Sequence, residues 1–330
     1  MKTRPLGTTG YEISEIGFGG WGLGGTMWLG TEDAEGRDAL VEALRLGVTF
    51  FDTALAYGDG HSERTIARVL KEEGAREGVV VATKLPPRNN VWPGDGGKPL
   101  REFFPAKHVV ACVEKSLRHL DADALQIQQL HVWHDAWLDD PEWEETYAAM
   151  VCLKEQGKVL HWGVSINDHA PETALRVLAD PLFETVQAIY NIYDRSPERA
   201  LLALAKTKPL GVIARVPFDE GALTGTIHAD TIFPKGDWRE GYFGGERRAQ
   251  AARRAAALEE LLGEEAGTLP ELALRFCLAP PEVTTAIPGM RRTAHVRANA
   301  AVSDGRTLSE AMLSRLREHA WDKNWYAPHE

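Results

Sequence analysis

The apolar positions of this chain follow two different spacings. Short runs rich in β-branched residues alternate with longer segments whose apolar residues fall at positions i, i+3, i+4 and i+7. The first spacing predicts buried strands, and the second predicts amphipathic helices. The strand-like runs cover residues 13–20, 48–54, 79–84, 124–131, 159–165, 185–191, 211–217 and 283–289. The pattern therefore predicts eight strands with helical segments between them.

This alternation indicates the class of fold. Strands separated by helices pair in parallel through right-handed crossovers, and eight such units close into a (β/α)8 TIM barrel. An open, doubly wound sheet is the alternative. Before the first strand, KTRPLGTTGYEISEI predicts a hairpin that plugs the bottom of the barrel. Two helices, near 293–302 and 307–319, follow the last strand, and the order of the final DKNWYAPHE is left open.

No linker divides the chain, so we expect residues 1–330 to form a single barrel domain. Two Gly- and Pro-rich insertions, at 86–105 and 218–246, follow the third and seventh predicted strands. Long loops on this face of a barrel are usually functional, and we interpret both as substrate and cofactor loops. Four loop tryptophans are candidates for lining a bulky or aromatic substrate pocket, with core packing as the alternative: Trp92, Trp133, Trp137 and Trp238.

The composition narrows the range of partners. The chain has a formal net charge of −11, and such an acidic protein lacks the basic surface that binds nucleic acid or an anionic membrane. No stretch approaches the ~18 to 20 apolar residues of a membrane helix, and the opening residues contain no apolar signal segment. Cys112, Cys152 and Cys277 form no CxxC pair, which argues against disulfides and thiolate metal sites. We therefore expect a cytoplasmic protein that acts on small molecules.

Polar residues stand where the apolar runs end. Asp52, Lys84, His131 and Ser165 close, or nearly close, four successive predicted strands. In a barrel the carboxyl ends of the strands converge, so these side chains are expected to share one site. A single polar strand end is as easily structural as functional, but four in succession of types suited to acid–base chemistry favour a catalytic site.

Tyr57 adds a proton donor to this group. A phenol has a pKa of about 10, and a neighbouring ammonium lowers this pKa because it favours the phenolate. Lys84 is the candidate ammonium, and Asp52 on the adjacent strand is the counter-ion that allows Lys84 to be buried. Tyr57 follows Asp52 by five residues, which places its ring in the loop above the second strand. His131 is positioned to hydrogen-bond a substrate oxygen.

These residues resemble the Asp, Tyr, Lys, His tetrad of the aldo-keto reductases. The resemblance rests on FFDTALAYGDGHSE, on ATK ending at Lys84 and on QQLHVWH. It continues through GKVLHWGVSIND, TVQAIYNIYDR, VPFDEGALTGT and AIPGMRRTAHVRAN, and covers about residues 3 to 302. It implies reversible hydride transfer from NADPH to an aldehyde or ketone, with Tyr57 delivering the proton and no metal taking part. The oligomeric state is not indicated.

The resemblance also implies the residues that bind NADP(H). Gln187 corresponds to the residue that holds the carboxamide, Tyr190 to the ring that stacks on the nicotinamide, and Arg291 to a ligand of the 2′-phosphate, with Arg292 as a weaker candidate. The full set implied is Trp21, Ser165, Asn167, Gln187, Tyr190, Val216, Pro217, Phe218, Gly221, Leu223, Gly225, Ile287, Gly289, Arg291, His295 and Asn299. A guanidinium binds phosphate through a planar fork, and backbone amides near the glycines would approach the pyrophosphate.

The chain departs from the family pattern at three positions. Ala298 stands where many members have an acidic residue, and His295 stands where some have arginine. Thr226 follows Gly225 where a lysine is common, so this loop has no positive side chain at that position to hold the cofactor. The sequence therefore defines the preference for NADPH over NADH less well than it defines the reaction.

Competing interpretations explain fewer residues. Gly17, Gly19 and Gly22 fit G-x-G-x-x-G, but GWGLGGTMWLGTE prolongs a loop where a dinucleotide fingerprint needs a helix. We interpret this stretch as a flexible substrate loop with Trp21 as an aromatic wall of the pocket. A cofactor-free barrel lyase with Lys84 as a Schiff-base nucleophile leaves Tyr57 unexplained.

Two further alternatives concern metals and regulation. His131, His134, Asp135 and His161 have no spacing typical of a metal site. We interpret His134 and His161 as surface or packing residues. A cofactor-occupied regulatory or scaffold subunit, as the potassium-channel β-subunits of this family illustrate, remains the second functional hypothesis because a complete tetrad does not exclude it.

Overall fold

The structure is a computed structural model that describes residues 1–25, 27–30 and 32–326. Its main sheet contains eight parallel strands in the order of the sequence. A separate pair of short strands, β1 (Thr3–Pro5) and β2 (Glu12–Ser14), precedes them. The main strands are β3 (Phe18–Gly19), β4 (Phe50–Asp52), β5 (Val80–Leu85), β6 (Leu125–Leu130), β7 (Val159–Ser165), β8 (Phe183–Ile189), β9 (Gly211–Arg215) and β10 (Val283–Ala286). The prediction of eight parallel strands is confirmed.

Contacts between the first and last strands close the sheet. Ile16 and Gly19 form parallel bridges with Ala286 and Gly289, respectively. The amide of Gly17 donates to the carbonyl of Ala286 at 2.9 Å. The eight strands thus form the predicted (β/α)8 barrel, and the open-sheet alternative is wrong.

The first predicted strand, at 13–20, is divided in the structure. Its beginning belongs to β2 of the hairpin, and only Phe18–Gly19 enters the barrel. Ser14 marks the change of direction, because its amide donates to Thr49 Oγ1 at 2.8 Å while its hydroxyl donates to the carbonyl of Ile16 at 2.8 Å. These side-chain hydrogen bonds replace the ladder that a continuous strand would have formed.

The hairpin closes the amino-terminal end of the barrel, as predicted. β1 and β2 are antiparallel, and the guanidinium of Arg4 donates to the carbonyl of Val283, at the start of β10, at 2.8 Å. Two hairpin residues, Leu6 and Ile13, are fully buried and belong to a cluster inside the barrel. The other members of this cluster are Phe50, Val80, Ala82, Ile127, Ile213 and Ile287.

Helices cover the outside of the barrel. They are α1 (Asp33–Arg45), α2 (His61–Glu72), α3 (Ala106–Leu120), α4 (Trp143–Glu155), α5 (Leu201–Thr207), α6 (Trp238–Tyr242), α7 (Arg247–Glu259), α8 (Leu269–Leu278), α9 (Thr293–Ala300) and α10 (Glu310–Arg317). In α2 the buried residues Ile66, Val69 and Leu70 repeat at helical spacing and face the strands. Among the described residues, no helix is long and apolar enough to cross a membrane.

The carboxyl-terminal region reaches the barrel mouth within the described residues. α9 and α10 correspond to the two helices predicted after the last strand. The tail left open by the sequence packs in an ordered way as far as Tyr326, and its last four residues lie outside the described residues. The second insertion contains the short helix α6, which the sequence pattern did not predict.

Candidate active site

Four polar side chains meet at the carboxyl ends of β4, β5 and β6. Asp52 is the last residue of β4, Lys84 lies in β5, and His131 directly follows β6. Tyr57 comes from the loop after β4, and Lys84 Nζ lies 3.3 Å from its hydroxyl. The ring of Tyr57 packs edge-on against His131 with centroids 5.7 Å apart. The structure therefore brings the four predicted catalytic residues together.

Lys84 is held by acceptors from the neighbouring strand. Its Nζ donates to both carboxylate oxygens of Asp52, at 2.7 and 2.8 Å, and to the carbonyl of Thr53 at 2.7 Å. Lys84 is 0% exposed and Asp52 is 2% exposed. A buried ammonium requires such compensation, so Asp52 performs the counter-ion role expected for it.

The pKa of Tyr57 differs from the expectation that Lys84 would lower it. Burial, followed by the negative charge of Asp52, raises the pKa of this phenol well above 10, while the charge of Arg215 acts in the opposite direction. The ammonium of Lys84 is shared with the Asp52 carboxylate, so the pair presents little net charge to the phenol. Tyr57 is therefore protonated at neutral pH in this structure.

His131 is neutral in the same conditions. Burial lowers its pKa well below 6.5, and the charges of Lys84 and Arg215 lower it further. Its buried Nδ1 has no hydrogen-bond partner among the described residues. A neutral imidazole beside the Tyr57 ring can donate one hydrogen bond to a carbonyl oxygen.

Some of the aromatic residues predicted to line the pocket lie near the rings of Tyr57 and His131. Trp21 lies 6.5 Å from the Tyr57 ring and 6.2 Å from Trp238, measured between centroids. Trp92, from the first insertion, packs edge-on against His131 at 5.8 Å and is 43% exposed. The other two candidate pocket residues, Trp133 and Trp137, are fully buried and pack on each other and on the helix layer. These two belong to the core, so the core-packing alternative holds for them and they do not line a pocket.

The glycine-rich loop after β3 is not a dinucleotide fingerprint. A short 3-10 helix at Trp21–Gly24 follows β3, and α1 begins only at Asp33. The interpretation as a prolonged loop is therefore confirmed for the described residues of this stretch, which leave out Thr26 and Thr31. A Cβ at Gly22 would lie 2.6 Å from Cδ of Arg291, so the glycine permits this arginine to pack against the loop.

Three candidate nicotinamide residues stand at the ends of β7 and β8. Ser165 ends β7 and pairs in register with Gln187 of β8. The amide of Gln187 donates to Asp52 Oδ1 at 2.7 Å, which ties it to the tetrad. Asn167 exchanges two hydrogen bonds of 2.9 Å with the backbone of Gly94, in the first insertion. All three side chains lie at the barrel mouth, and two already have protein partners there.

Tyr190 does not join this group. Gln187 points into the barrel, and a residue three positions further along an extended chain points to the opposite face. The Tyr190 hydroxyl donates to Glu198 at 2.8 Å, and its ring packs on Phe276 of α8 at 5.4 Å. The structure therefore places Tyr190 between the sheet and the helices, away from the tetrad.

The loop after β9 has an unusual backbone. It begins with Val216, Pro217 and Phe218 and continues as a 3-10 segment, Asp219–Thr224. Val216, Asp219 and Glu220 have positive φ angles of 55°, 48° and 56°, a conformation that non-glycine residues seldom adopt. Gly221 (φ +107°) and Gly225 (φ +73°) adopt it without strain. The candidate residues Gly221, Leu223 and Gly225 all lie in this loop, and Leu223 is fully buried.

Positive charges collect near the start of α9. Arg239 and Arg291 lie over the Trp28 ring at 4.4 and 5.2 Å. Burial lowers the pKa of Arg291, and the charge of Arg239 lowers it further. The pKa of His295 is lowered by burial and then by the charges of Arg291 and Arg292. These four residues form a basic cluster. Asp237 pairs with Arg239 at 2.8 Å and Glu35 lies 3.7 Å from Arg292, so acids offset part of the charge of the cluster. Arg239 was missed in the sequence because its partners are distant along the chain.

The remaining candidates for binding the cofactor come before and after residues 291–295 in the sequence. Ile287 belongs to the inner barrel cluster, and Gly289 bridges to Gly19. Asn299, in α9, is 4% exposed, and its Nδ2 has no hydrogen-bond partner among the described residues. A buried amide donor without a partner is uncommon and marks a position where a ligand acceptor would fit.

Arg215 is a further charged residue of the mouth that the sequence interpretation missed. It ends β9, donates to Asp168 at 2.6 Å and to the carbonyl of Ile166 at 3.0 Å, and its charge affects the pKa of Tyr57 and of His131. It interrupts an apolar run at a strand end, as Lys84 does, so the same signal was present in GVIARVP.

The histidines considered as metal ligands serve local structure instead. His134 Nδ1 accepts from the amide of Ala136 at 3.1 Å, and His161 pairs with Glu184 at 2.9 Å. Asp135 accepts from the indole of Trp133 at 3.0 Å. The part of the chain that the structure describes contains no group of three or more His, Cys, Asp or Glu residues suited to a metal ion.

Comparison with known proteins agrees with this architecture. Residues 15–320 match the model of the aldo/keto reductase family. The chain is 32% identical to the aldo-keto reductase YhdN of Bacillus subtilis, covering 94% of this chain and 90% of YhdN. It is 30% identical to the NADH-specific methylglyoxal reductase of Escherichia coli, covering 97% and 98%. The structure of a Bacillus halodurans aldo-keto reductase in its holo form superposes with a TM-score of 0.74 at 28% identity, covering 97% and 96%. The chain therefore belongs to the aldo-keto reductase family.

Proposed function

We propose that this chain is an NADPH-dependent oxidoreductase that reduces aldehydes or ketones to alcohols, with Tyr57 as general acid. The proposal treats residues 1–330 as one catalytic barrel domain. One observation carries it: the Tyr57 hydroxyl lies 3.3 Å from the ammonium of Lys84, beside His131 and at the carboxyl end of the barrel strands. Membership of the aldo-keto reductase family supports the same chemistry.

Each tetrad residue has a distinct role in this proposal. Tyr57 and neutral His131 donate hydrogen bonds to the carbonyl oxygen of the substrate. A bound reduced nicotinamide supplies the hydride. As negative charge develops on the substrate oxygen, the Tyr57 phenol transfers its proton to that oxygen. Asp52 compensates the buried ammonium of Lys84, which donates a hydrogen bond to the Tyr57 oxygen, and the positive charge of Arg215 favours the phenolate that is left.

The residues present fit a dinucleotide. The partnerless Nδ2 of Asn299 offers a buried donor for a ligand acceptor. Gln187 places its amide group against Asp52, and Asn167 holds Gly94 of the first insertion at the barrel mouth. The basic cluster of Arg239, Arg291, Arg292 and His295 supports a phosphate on the adenosine, because burial and the charge of Arg239 lower the pKa of Arg291 and an anion would stabilise its charged form. This cluster is the reason for proposing NADPH in preference to NADH.

The experiment is a comparison of Tyr57→Phe with the unmodified chain. NADPH binding is measured by fluorescence titration, and turnover is measured with a panel of reactive aldehydes. We expect Tyr57→Phe to bind NADPH normally and to lose at least about a hundredfold in kcat, the usual contribution of a general acid. Tyr147→Phe is the matched control, because its hydroxyl bonds Asp180 on the outer helix layer. Loss of binding together with turnover in Tyr57→Phe would contradict the assigned role.

The same assays test the regulatory-subunit hypothesis. An unmodified chain that binds NADPH but turns over no aldehyde in the panel, and that captures a protein partner, would favour that hypothesis over catalysis. A covalent adduct of Lys84 with substrate after borohydride reduction would instead support the lyase.

A further inference from the structure

Residues 321–326 are anchored to the loop after β9 by a buried ion pair. Lys323 Nζ lies 2.9 Å from a carboxylate oxygen of Asp219, and both side chains are nearly inaccessible, at 5% and 2% exposure. Lys323 also donates to the hydroxyl of Tyr242 at 3.1 Å. The pair joins positions 104 residues apart in the sequence.

Aromatic packing holds the same segment in place. The amide of Trp321 donates to the carbonyl of Tyr193 at 2.9 Å. Trp321 packs edge-on against Trp325 at 4.9 Å, and Lys323 Nζ lies 4.2 Å from the centroid of the Trp325 ring. Residues 321–326, called the tail clamp below, therefore have a defined position against the loop.

A second contact involves the neighbouring acid. The hydroxyl of Tyr326 donates to the carboxylate of Glu220, and the Tyr326 ring stacks on Trp238 at 5.9 Å. Glu220 is 6% exposed. Two adjacent acids of the loop thus each receive one side chain from the tail clamp.

These acids create a charge problem for the function proposed above. Asp219 and Glu220 lie in the loop, 218–225, whose backbone amides are expected from the family resemblance to approach the pyrophosphate of the dinucleotide. Buried carboxylates repel a polyanion more strongly than exposed ones, because the surroundings screen them less. Thr226 supplies no charge to offset them. Arg215, directly before the loop, offsets part of the charge of Glu220, and Asp219 requires a cation from elsewhere in the fold.

We propose that the tail clamp is part of the dinucleotide site, with Lys323 cancelling the charge of Asp219 and Tyr326 holding Glu220, so that the loop accepts a pyrophosphate. The inference rests on the proposed function because it takes this loop as the pyrophosphate site. Lys323 acts through Asp219 and is a positioning and charge-compensating residue. It fills the role left vacant by Thr226 with a side chain from the far end of the sequence.

Burial and the neighbouring acids, and not Tyr326, limit the negative charge of Glu220. Burial raises its pKa to about 7, and the charges of Asp219 and Asp168 raise it, whereas the Tyr326 hydrogen bond and the charge of Arg215 lower it. Near neutral pH, Glu220 therefore carries only part of a negative charge. With Asp219 paired to Lys323, the loop presents little net charge to an anion.

A double-mutant cycle tests the proposal through binding alone. The Kd values for NADPH and NADH are measured by fluorescence titration for the unmodified chain, Lys323→Met, Asp219→Asn and the double variant. We expect Lys323→Met to raise both Kd values at least about tenfold, since it leaves a buried charge unpaired beside the phosphates. The double variant removes both charges and should return Kd to within about threefold of the unmodified value. Lys206→Met, which removes an exposed charge from α5, is the matched control.

The cycle separates electrostatic compensation from general damage. Thermal unfolding of each cofactor-free variant reports whether the fold is retained. Unchanged Kd values in Lys323→Met would overturn the proposal, and so would a double variant that binds as weakly as Lys323→Met. If the unmodified chain bound neither dinucleotide, the proposed function itself would fall. If the unmodified chain binds the dinucleotides normally, the result of the cycle tests the tail clamp and not the proposed function.

Discussion

Replacing Lys84 by methionine should destabilise the fold through the charge that it leaves behind. Methionine keeps most of the length of the side chain but cannot compensate Asp52, which is 2% exposed. Two unit charges 2.7 Å apart attract by about 6 kcal/mol at an effective dielectric constant of about 20. The desolvation of both groups offsets part of this energy. Removal of one partner from a buried pair therefore costs about 3–5 kcal/mol.

Urea unfolding followed by tryptophan fluorescence measures this loss. The matched variant combines Lys84→Met with Asp52→Asn, so that the amide oxygen introduced at position 52 still accepts the hydrogen bond from Gln187 and no buried charge remains. We expect the double variant to be more stable than Lys84→Met by at least about 2 kcal/mol. The reasoning is refuted if Lys84→Met loses less than about 1 kcal/mol, or if the double variant is as unstable as the single one.

Two more outcomes follow from charged groups at the mouth. Burial raises the pKa of Glu220 to about 7 from 4.5, so between these pH values the folded chain retains a proton that the unfolded chain releases. The free energy of unfolding should therefore fall by about 3 kcal/mol as pH rises through this window. Glu220→Gln should flatten that part of the pH profile. An equal pH dependence in Glu220→Gln would contradict the assignment. Arg291→Met should raise the Kd for NADPH at least about tenfold and that for NADH less than about threefold, because only NADPH carries the 2′-phosphate. Equal losses for both dinucleotides would remove Arg291 from that role, and Arg317→Met on α10 is the control.

The sequence predicted the barrel and its tetrad because both depend on local signals. Each strand is a short apolar run, and each catalytic candidate stands where such a run ends or shortly afterwards. Parallel strands bring their carboxyl ends together, so the proximity of Asp52, Lys84 and His131 followed from the topology. The cytoplasmic location, the choice of NADPH and the absence of nucleic-acid partners stay predictions.

Other features depended on information that a local pattern does not contain. Tyr190 is an exception, because the alternation of side chains along a strand would have placed it opposite Gln187. The raised pKa of Tyr57 arises from enclosure by several loops, which no spacing reveals. The tail clamp depends on contacts such as that between Lys323 and Asp219, which are 104 residues apart. Its aromatic residues have no period from which a partner could be inferred.

The hairpin of β1 and β2 has a practical consequence for anyone who wishes to handle this protein. Because it closes the end of the barrel opposite the tetrad, an affinity tag fused ahead of Met1 would lie on the side of the barrel away from Tyr57. A tag fused behind Glu330 would begin four residues after Tyr326, whose hydroxyl binds Glu220. Purification and immobilisation are therefore best done through the first residue, with the last one left unmodified.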